Sequence, residues 1–198
     1  MKWMIASDIH GSALYCRRIL EAFRREEADR LLLLGDILYH GPRNPMLADY
    51  NPAKLAERIN ACKAQVIIAR GNCDSDVDQL VLNSPIQAPY AYVFANGHRI
   101  VMTHGTHFTY CNDPSKPDWS KMIDEIAKQA NTLRADIFIT GHIHNNILEK
   151  HGQSILLNPG SPSLPNRSDR RATVAVIDDA GIKIFDLDAG DELMSYEF

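Results

Sequence analysis

The 198-residue sequence predicts an α/β fold in which two β-sheets pack face to face with helices on the outside. Three observations carry that expectation. The first half alternates short, continuously apolar runs with helix-period segments, the pattern of parallel strands buried on both faces. An Asn96-Gly97 pair between two strand-like runs then gives a strong hairpin signal. The tail holds three more strand-like runs, two of them joined by a tight polar turn that suits antiparallel pairing.

Taken in order, residues 2–7 read as a buried strand, and 12–27 carry Leu14, Ile19, Leu20 and Phe23 at helical spacing. Residues 31–34 form an apolar strand. Asn51 followed by Pro52 is an N-cap with proline at the first helical position, opening a helix that ends near Cys62. Residues 66–69 make a third strand, and a short helix capped by Ser75 is expected after it. Residues 90–95 and 99–104 flank the Asn96-Gly97 turn, a helix follows over 118–133, and 137–140 is a further buried strand. The remaining strands are expected at 155–157, 173–177 and 182–187, with Asp178-Asp179-Ala180-Gly181 joining the last two. Segments 41–51 and 106–118 are long loops expected to border the functional site.

Length predicts one domain over 1–198, large enough for a full core. Apolar content of 45% and charged content of 23% are those of an ordinary globular chain, and the net charge of -4 argues against long nucleic acid as a partner. Cys16, Cys62, Cys73 and Cys111 form no CxxC pair, and Asp8 comes too early for a secretory apolar region. No apolar run approaches the roughly 20 residues that span a bilayer. A cytoplasmic setting with reduced thiols and no membrane partner is therefore expected.

Five islands sit at the ends of strand-like runs: Asp8-Ile9-His10, Gly35-Asp36, Gly71-Asn72-Cys73-Asp74, His104-Gly105 and Gly141-His142-Ile143-His144. Each has a structural reading by itself, with Asp8 as a helix cap, Gly35-Asp36 as a turn and Asn72 in an Asx turn. Four of the eight histidines nevertheless lie in these islands. Together the Asp, Asn and His donors suit Mn, Fe, Zn or Ni and point to a two-metal phosphoesterase site.

The series D-x-H, G-D, G-N-x-D, H-G and G-H-x-H resembles the calcineurin-like metallophosphoesterase superfamily over about residues 4–165. Within it, Ser-Asp-Ile-His-Gly-Ser at 7–12, Leu-Gly-Asp-Ile-Leu-Tyr-His-Gly-Pro-Arg-Asn at 34–44, Arg-Gly-Asn-Cys-Asp-Ser at 70–75 and Asn-Pro-Gly-Ser at 158–161 are similar to small bacterial YfcE-type phosphodiesterases. The resemblance implies a four-layer αββα sandwich of two mixed sheets flanked by helices. It also implies hydrolysis of a small phosphodiester by a hydroxide held between two divalent ions, with Mn2+ expected and Ni2+, Zn2+ or Fe compatible. Matched position by position, Asp8, His10, Asp36 and His144 would hold one ion, and Asp36, Asn72, His104 and His142 the other. Asn72 and Arg43 would stabilise charge on the phosphoryl oxygens, with a solvated loop position as the alternative for Arg43.

Cys73 departs from the pattern, because the superfamily usually has histidine there, paired with an acidic residue such as Asp74 and thought to protonate the leaving alkoxide. A thiol is a poorer donor for that task, so esters with poor leaving groups are expected to turn over slowly. Cys73 as a small packed residue is the alternative. His40 is expected to orient a ligand or the substrate, and His98, His107 and His151 to lie at the surface. A homo-oligomer is expected, with Tyr50, Phe108, Tyr110 and Trp119 as contact candidates. Competing expectations are a non-catalytic scaffold, the role this fold plays in a retromer subunit resembling these enzymes, and a nucleotide phosphodiesterase or phosphomonoesterase.

Overall fold

A computed structural model describes residues 1–108 and 118–198. The chain runs β1 (Trp3–Ala6), α1 (Ala13–Arg25), β2 (Arg30–Leu33), α2 (Pro52–Asn60), β3 (Gln65–Ala69), α3 (Asp78–Val81), β4 (Ile86–Gln87), β5 (Ala91–Ala95) and β6 (His98–Met102). It continues through α4 (Trp119–Thr132), β7 (Ile137–Ile139), β8 (Asn146–His151), β9 (Ser154–Pro159), β10 (Thr173–Ile177), β11 (Gly181–Asp186) and β12 (Glu192–Glu197). Seven strands form one sheet in the order β12-β11-β10-β1-β2-β3-β4, and five form the other in the order β5-β6-β7-β9-β8. Both sheets are mixed: β1-β2-β3-β4 and β6-β7-β9 are parallel, and the flanking ladders antiparallel.

The period of two along each strand builds four layers. Met4, Ala6, Leu31 and Leu33 face α1 and α2, whereas Trp3, Ile5, Leu32 and Leu34 face the second sheet. On that sheet Ile100, Met102, Ile137, Ile139, Ile155 and Leu157 point inward, and Val101, Phe138 and Leu156 pack under α4. The strands are apolar on both faces because both faces are covered. Ser12 caps α1 through Tyr15 N, Asn51 caps α2 through Lys54 N, and Asp118 caps α4 through Lys121 N. Asn96 and Gly97 both take positive φ, which a two-residue hairpin turn with the sheet's twist requires.

Several expectations need correction. Ser75 does not cap α3; its N–H instead donates to Asp78 Oδ2 at 2.8 Å, and the residue before the helix is Val77, with no side-chain cap. Phe108 is unsuited to subunit contact, being 6% exposed and packed edge-on against Phe138. Tyr50 is half-buried over Gly11, while Trp119 is 38% exposed. Tyr110, Cys111 and most of the 106–118 loop lie outside the described residues. No described helix is long and apolar enough to cross a membrane.

Candidate metal centre

Every predicted ligand stands just past the end of a strand, where the chain leaves the sheet and its backbone turns sharply. Asp8, His10, Asp36, His142 and His144 all adopt left-handed conformations, with φ between 49° and 70°. Non-glycine residues rarely do so, and such strain persists only where the surroundings dictate it. Here the strand ends latch onto one another: Asp8 N donates to Gly35 O (3.1 Å), His10 N to Asp36 O (2.9 Å), Gly141 N to His104 O (3.0 Å), and His142 N to Asp8 Oδ2 (2.9 Å). Two glycines are needed for space. A Cβ on Gly71 would overlap Asp36 Oδ1, and one on Gly141 would overlap Ser7 Oγ and stand 3.0 Å from Asp8 Oδ2.

The side chains converge. His144 Nε2 is 3.2 Å from Asp8 Oδ1, with the Nε2 atoms of His10 and His104 each 3.8 Å from the same oxygen. Asp36 Oδ2 lies 3.4 Å from His104 Nε2 and 3.8 Å from His10 Nε2. Asn72 Oδ1 is 3.2 Å from His104 Nε2, and His142 Nδ1 is also 3.2 Å from that nitrogen. Asp8, His10 and His144 thus form one donor group and Asp36, His104 and His142 another, each with its ligand atoms within 4.8 Å of one another.

The rings are aimed by backbone carbonyls. Nδ1 of His10 donates to Tyr39 O (3.0 Å), Nδ1 of His104 to Leu34 O (2.6 Å) and Nδ1 of His144 to Leu164 O (2.8 Å). A proton fixed on Nδ1 leaves the Nε2 lone pair facing the cluster, the usual support of a metal-binding imidazole. His142 is reversed and presents Nδ1.

Electrostatics make the same point. Burial alone would raise both carboxyls, but His144 and His104 outweigh it at Asp8, and His104 does so at Asp36, so both lie below their usual range. Burial opposes charge on every ring. Asp8 and Asp36 overcome it at His104, pushed up to about 9, and Asp8 does so at His144, which is also raised. His10 stays lowered by burial, and His142 is pushed down to about 4 by burial and then by His104. The two buried carboxylates thus favour the charged form at His104 and His144, and burial disfavours it at His10 and His142. Asp8 Oδ1 is fully buried without a directed hydrogen bond. A buried acceptor left that way is expensive unless a cation completes it, so this oxygen and nitrogen donor set fits divalent metal ions.

The other sequence candidates separate. Cys73 and Arg43 line a cleft of about 1000 Å³ over the cluster, together with Asn72 and part of the donor set. Asp74 does not reach the cleft. Its carboxylate accepts from the backbone N–H of Asp36 (2.8 Å), Ile37 (2.9 Å) and Gly71 (2.7 Å), tying the ends of β2 and β3 together. His40 stacks edge-on between Tyr39 and Tyr50. His107 is exposed and bonded to Tyr90 Oη, while His98 and His151 are half-buried, a correction to their expected exposure. Sequence reasoning missed Ser7, whose hydroxyl donates to Asp8 Oδ2 (2.5 Å), and Ser161 and Ser163, whose hydroxyls donate to Asp8 O. It also missed Asn44, Asn166 and Arg170 on the cleft wall. The 158–161 motif was a signal for Ser161; nothing local marks Arg170.

Comparison with known proteins agrees with this geometry. A family model, the Calcineurin-like phosphoesterase superfamily domain, matches residues 1–180. Phosphodiesterase YfcE of Escherichia coli strain K12 is 42% identical over 165 residues, covering 83% of this chain and 81% of its own. The solved structure of Yfce, described as a phosphoesterase from E. coli, superposes with a TM-score of 0.82 at 36% identity, covering 100% of this chain and 99% of that one. Vps29 from Entamoeba histolytica, solved with Zn2+, superposes with a TM-score of 0.64 at 16% identity, covering 100% and 99%, a likeness of fold alone.

Proposed function

This chain belongs to the calcineurin-like phosphoesterase superfamily, and on that premise we propose that it is a metal-dependent phosphodiesterase acting on small phosphodiesters at a dinuclear centre. In this reading Asp8, His10, Asp36 and His144 hold one ion and Asp36, Asn72, His104 and His142 the other. The observation that carries it is the pair of donor groups around Asp8 Oδ1, which is fully buried with imidazole nitrogens 3.2–3.8 Å away and no hydrogen bond of its own. When bound, two divalent cations supply Lewis-acid charge to the phosphoryl oxygens and lower the pKa of the attacking water. Mn2+ is the proposed ion, with Ni2+, Zn2+ and Fe compatible with the donors.

The chain's own groups do the rest. The carbonyls of Leu34, Tyr39 and Leu164 keep the rings in one tautomer and orientation. Asn72 directs its amide oxygen at His104 and its Nδ2 at Cys73 Sγ, 3.3 Å away, from where that amide can turn to a phosphoryl oxygen. Arg43, on the cleft wall, adds positive charge beside the donor cluster. In this reading Cys73, on the cleft wall, meets the leaving oxygen, and Asp74 is a positioning residue. The reading includes one domain over 1–198, a homo-oligomer with Trp119 at the contact, and a cytoplasmic setting, supported by the free Cys16, Cys62 and Cys73. A scaffold need not retain donors, yet all seven positions carry them, and no observation favours that alternative.

The test is hydrolysis of bis-p-nitrophenyl phosphate by metal-stripped protein resupplied with each ion in turn. Mn2+ is expected to restore turnover. Asp36→Asn and His104→Ala should each lose more than the roughly 10–100-fold that removing a ligand's hydrogen-bond partner costs. No hydrolysis with any of the four metals would sink the proposal.

A further inference from the structure

The wall of the cleft carries charge that the metal donors do not use. Arg43, from the loop before α2, and Arg170, from the loop between β9 and β10, both line it, both are exposed, and neither forms an ion pair among the described residues. Arg170 differs from its neighbours. Arg167 is committed to Asp169 through two hydrogen bonds (3.1 and 3.0 Å), and Arg171 lies 3.6–3.9 Å from Asp169, Asp186 and Asp191. Only a weak 3.5 Å contact to Pro165 O holds the Arg170 guanidinium.

Its backbone is firmly held. Ser161 and Ser163 donate to Asp8 O, Leu164 O accepts from His144 Nδ1, and Asn166 N donates to His144 O (2.8 Å). Arg167 Nη1 then reaches Asn146 Oδ1 (2.8 Å), and Arg170 N closes a turn on Arg167 O with Arg170 at φ +54°. The turn that presents Arg170 thus follows a segment pinned to Asp8 and His144, and Arg170 itself has a left-handed backbone. Asp78, also on the cleft wall, uses its carboxylate on Ser75 N (2.8 Å).

We propose that Arg170 and Arg43 form an anion subsite beside the metal floor, and that the substrate is a phosphodiester bearing a second phosphate, a phosphomonoester, on one arm. This rests on the phosphodiesterase reading. Two divalent cations already balance the two ligand carboxylates, the single charge of a diester and an attacking hydroxide. The two guanidiniums, less the Asp78 carboxylate, leave the wall one positive charge in excess, and their planar forks suit the oxygens of a second phosphate.

Two chromogenic esters test it: thymidine 5′-(p-nitrophenyl phosphate) and the same ester with a 3′-phosphate. With Mn2+-loaded protein the 3′-phosphate is expected to lower KM about tenfold, the size of one charge-assisted hydrogen bond, with kcat little changed. Arg170→Ala and Arg43→Ala should each reduce the ratio of the two KM values toward one, and Arg170→Lys should restore only part of it. Arg171→Ala, whose guanidinium is committed to acids outside the cleft, should keep the ratio. Equal KM values in the wild type, or a ratio that survives Arg170→Ala, would overturn the subsite. If neither ester is hydrolysed, the parent reading fails instead. Calorimetric binding of thymidine 3′,5′-bisphosphate against thymidine 5′-phosphate then decides the subsite alone: a preference lost in Arg170→Ala supports it, and equal affinities overturn it.

Discussion

Cys73 lies where the superfamily pattern has an imidazole, and its surroundings decide what its thiol can do. Burial and then the Asp36 carboxylate push it up to about 12, and its own N–H is held on Asp36 Oδ1 at 2.8 Å. A thiolate left beside that carboxylate after proton donation is disfavoured. Aryl diesters, whose leaving groups need no proton, should therefore turn over faster than alkyl diesters. Cys73→His is expected to raise kcat/KM for alkyl diesters selectively; unchanged or lower alkyl turnover would remove this position from acid catalysis. At Asp74 the argument is structural. An asparagine there must set its NH2 against one of three backbone donors, so Asp74→Asn should lose about 1–3 kcal/mol in urea unfolding, the price of a buried donor left unmet. The candidate ligands were legible because each is a metal-binding residue type in a glycine-containing island at the end of an apolar run. Asp74's three amides and the Ser161 bond to Asp8, 153 residues away, were not, because no local pattern encodes a long-range hydrogen bond.

Elements were recovered where their signals are local. The Asn51-Pro52 pair opens α2 as expected, with the Asn51 side chain accepting from Lys54 N at 2.9 Å. Asn51→Ala should cost about 1 kcal/mol and lower Tm by about 2–4 °C in a thermal melt. Strands β4, β8 and β12 escaped sequence reading for a common reason. Each lies at a sheet edge, with at most alternate residues buried, so its apolar signal is weak and its ladder partner alone defines it. The loop after β3 makes a sharper demand. Gly71→Ala would set a methyl against both Asp36 Oδ1 and the Asp36 backbone N, so the end of β2 must shift and the variant should bind Mn2+ far more weakly by calorimetry. Unaltered Mn2+ affinity would mean that Asp36 is not a ligand.

For the whole molecule, the donors come from both sheets. Asp8, His10, Asp36 and Asn72 follow β1, β2 and β3 of the seven-stranded sheet, and His104, His142 and His144 follow β6 and β7 of the five-stranded one. Bound cations would therefore clamp the two sheets across their apolar interface. With Mn2+ at about 100 times its Kd, stabilisation of about 2.7 kcal/mol should raise Tm by about 5–10 °C, and Asp36→Asn should abolish most of that rise. A Tm indifferent to Mn2+ would contradict the clamp.

The sequence by itself determined the layered α/β architecture and the candidate metal donors, because burial periodicity, caps, the Asn96-Gly97 turn and donor chemistry are written in neighbouring residues. Only the tertiary structure decided which nitrogen each imidazole presents, the left-handed backbone that aims the ligands, the carbonyls that hold them and the place of Arg170 on the cleft wall. Each of those depends on groups brought together from distant parts of the chain, and their geometry exists only once the two sheets have packed.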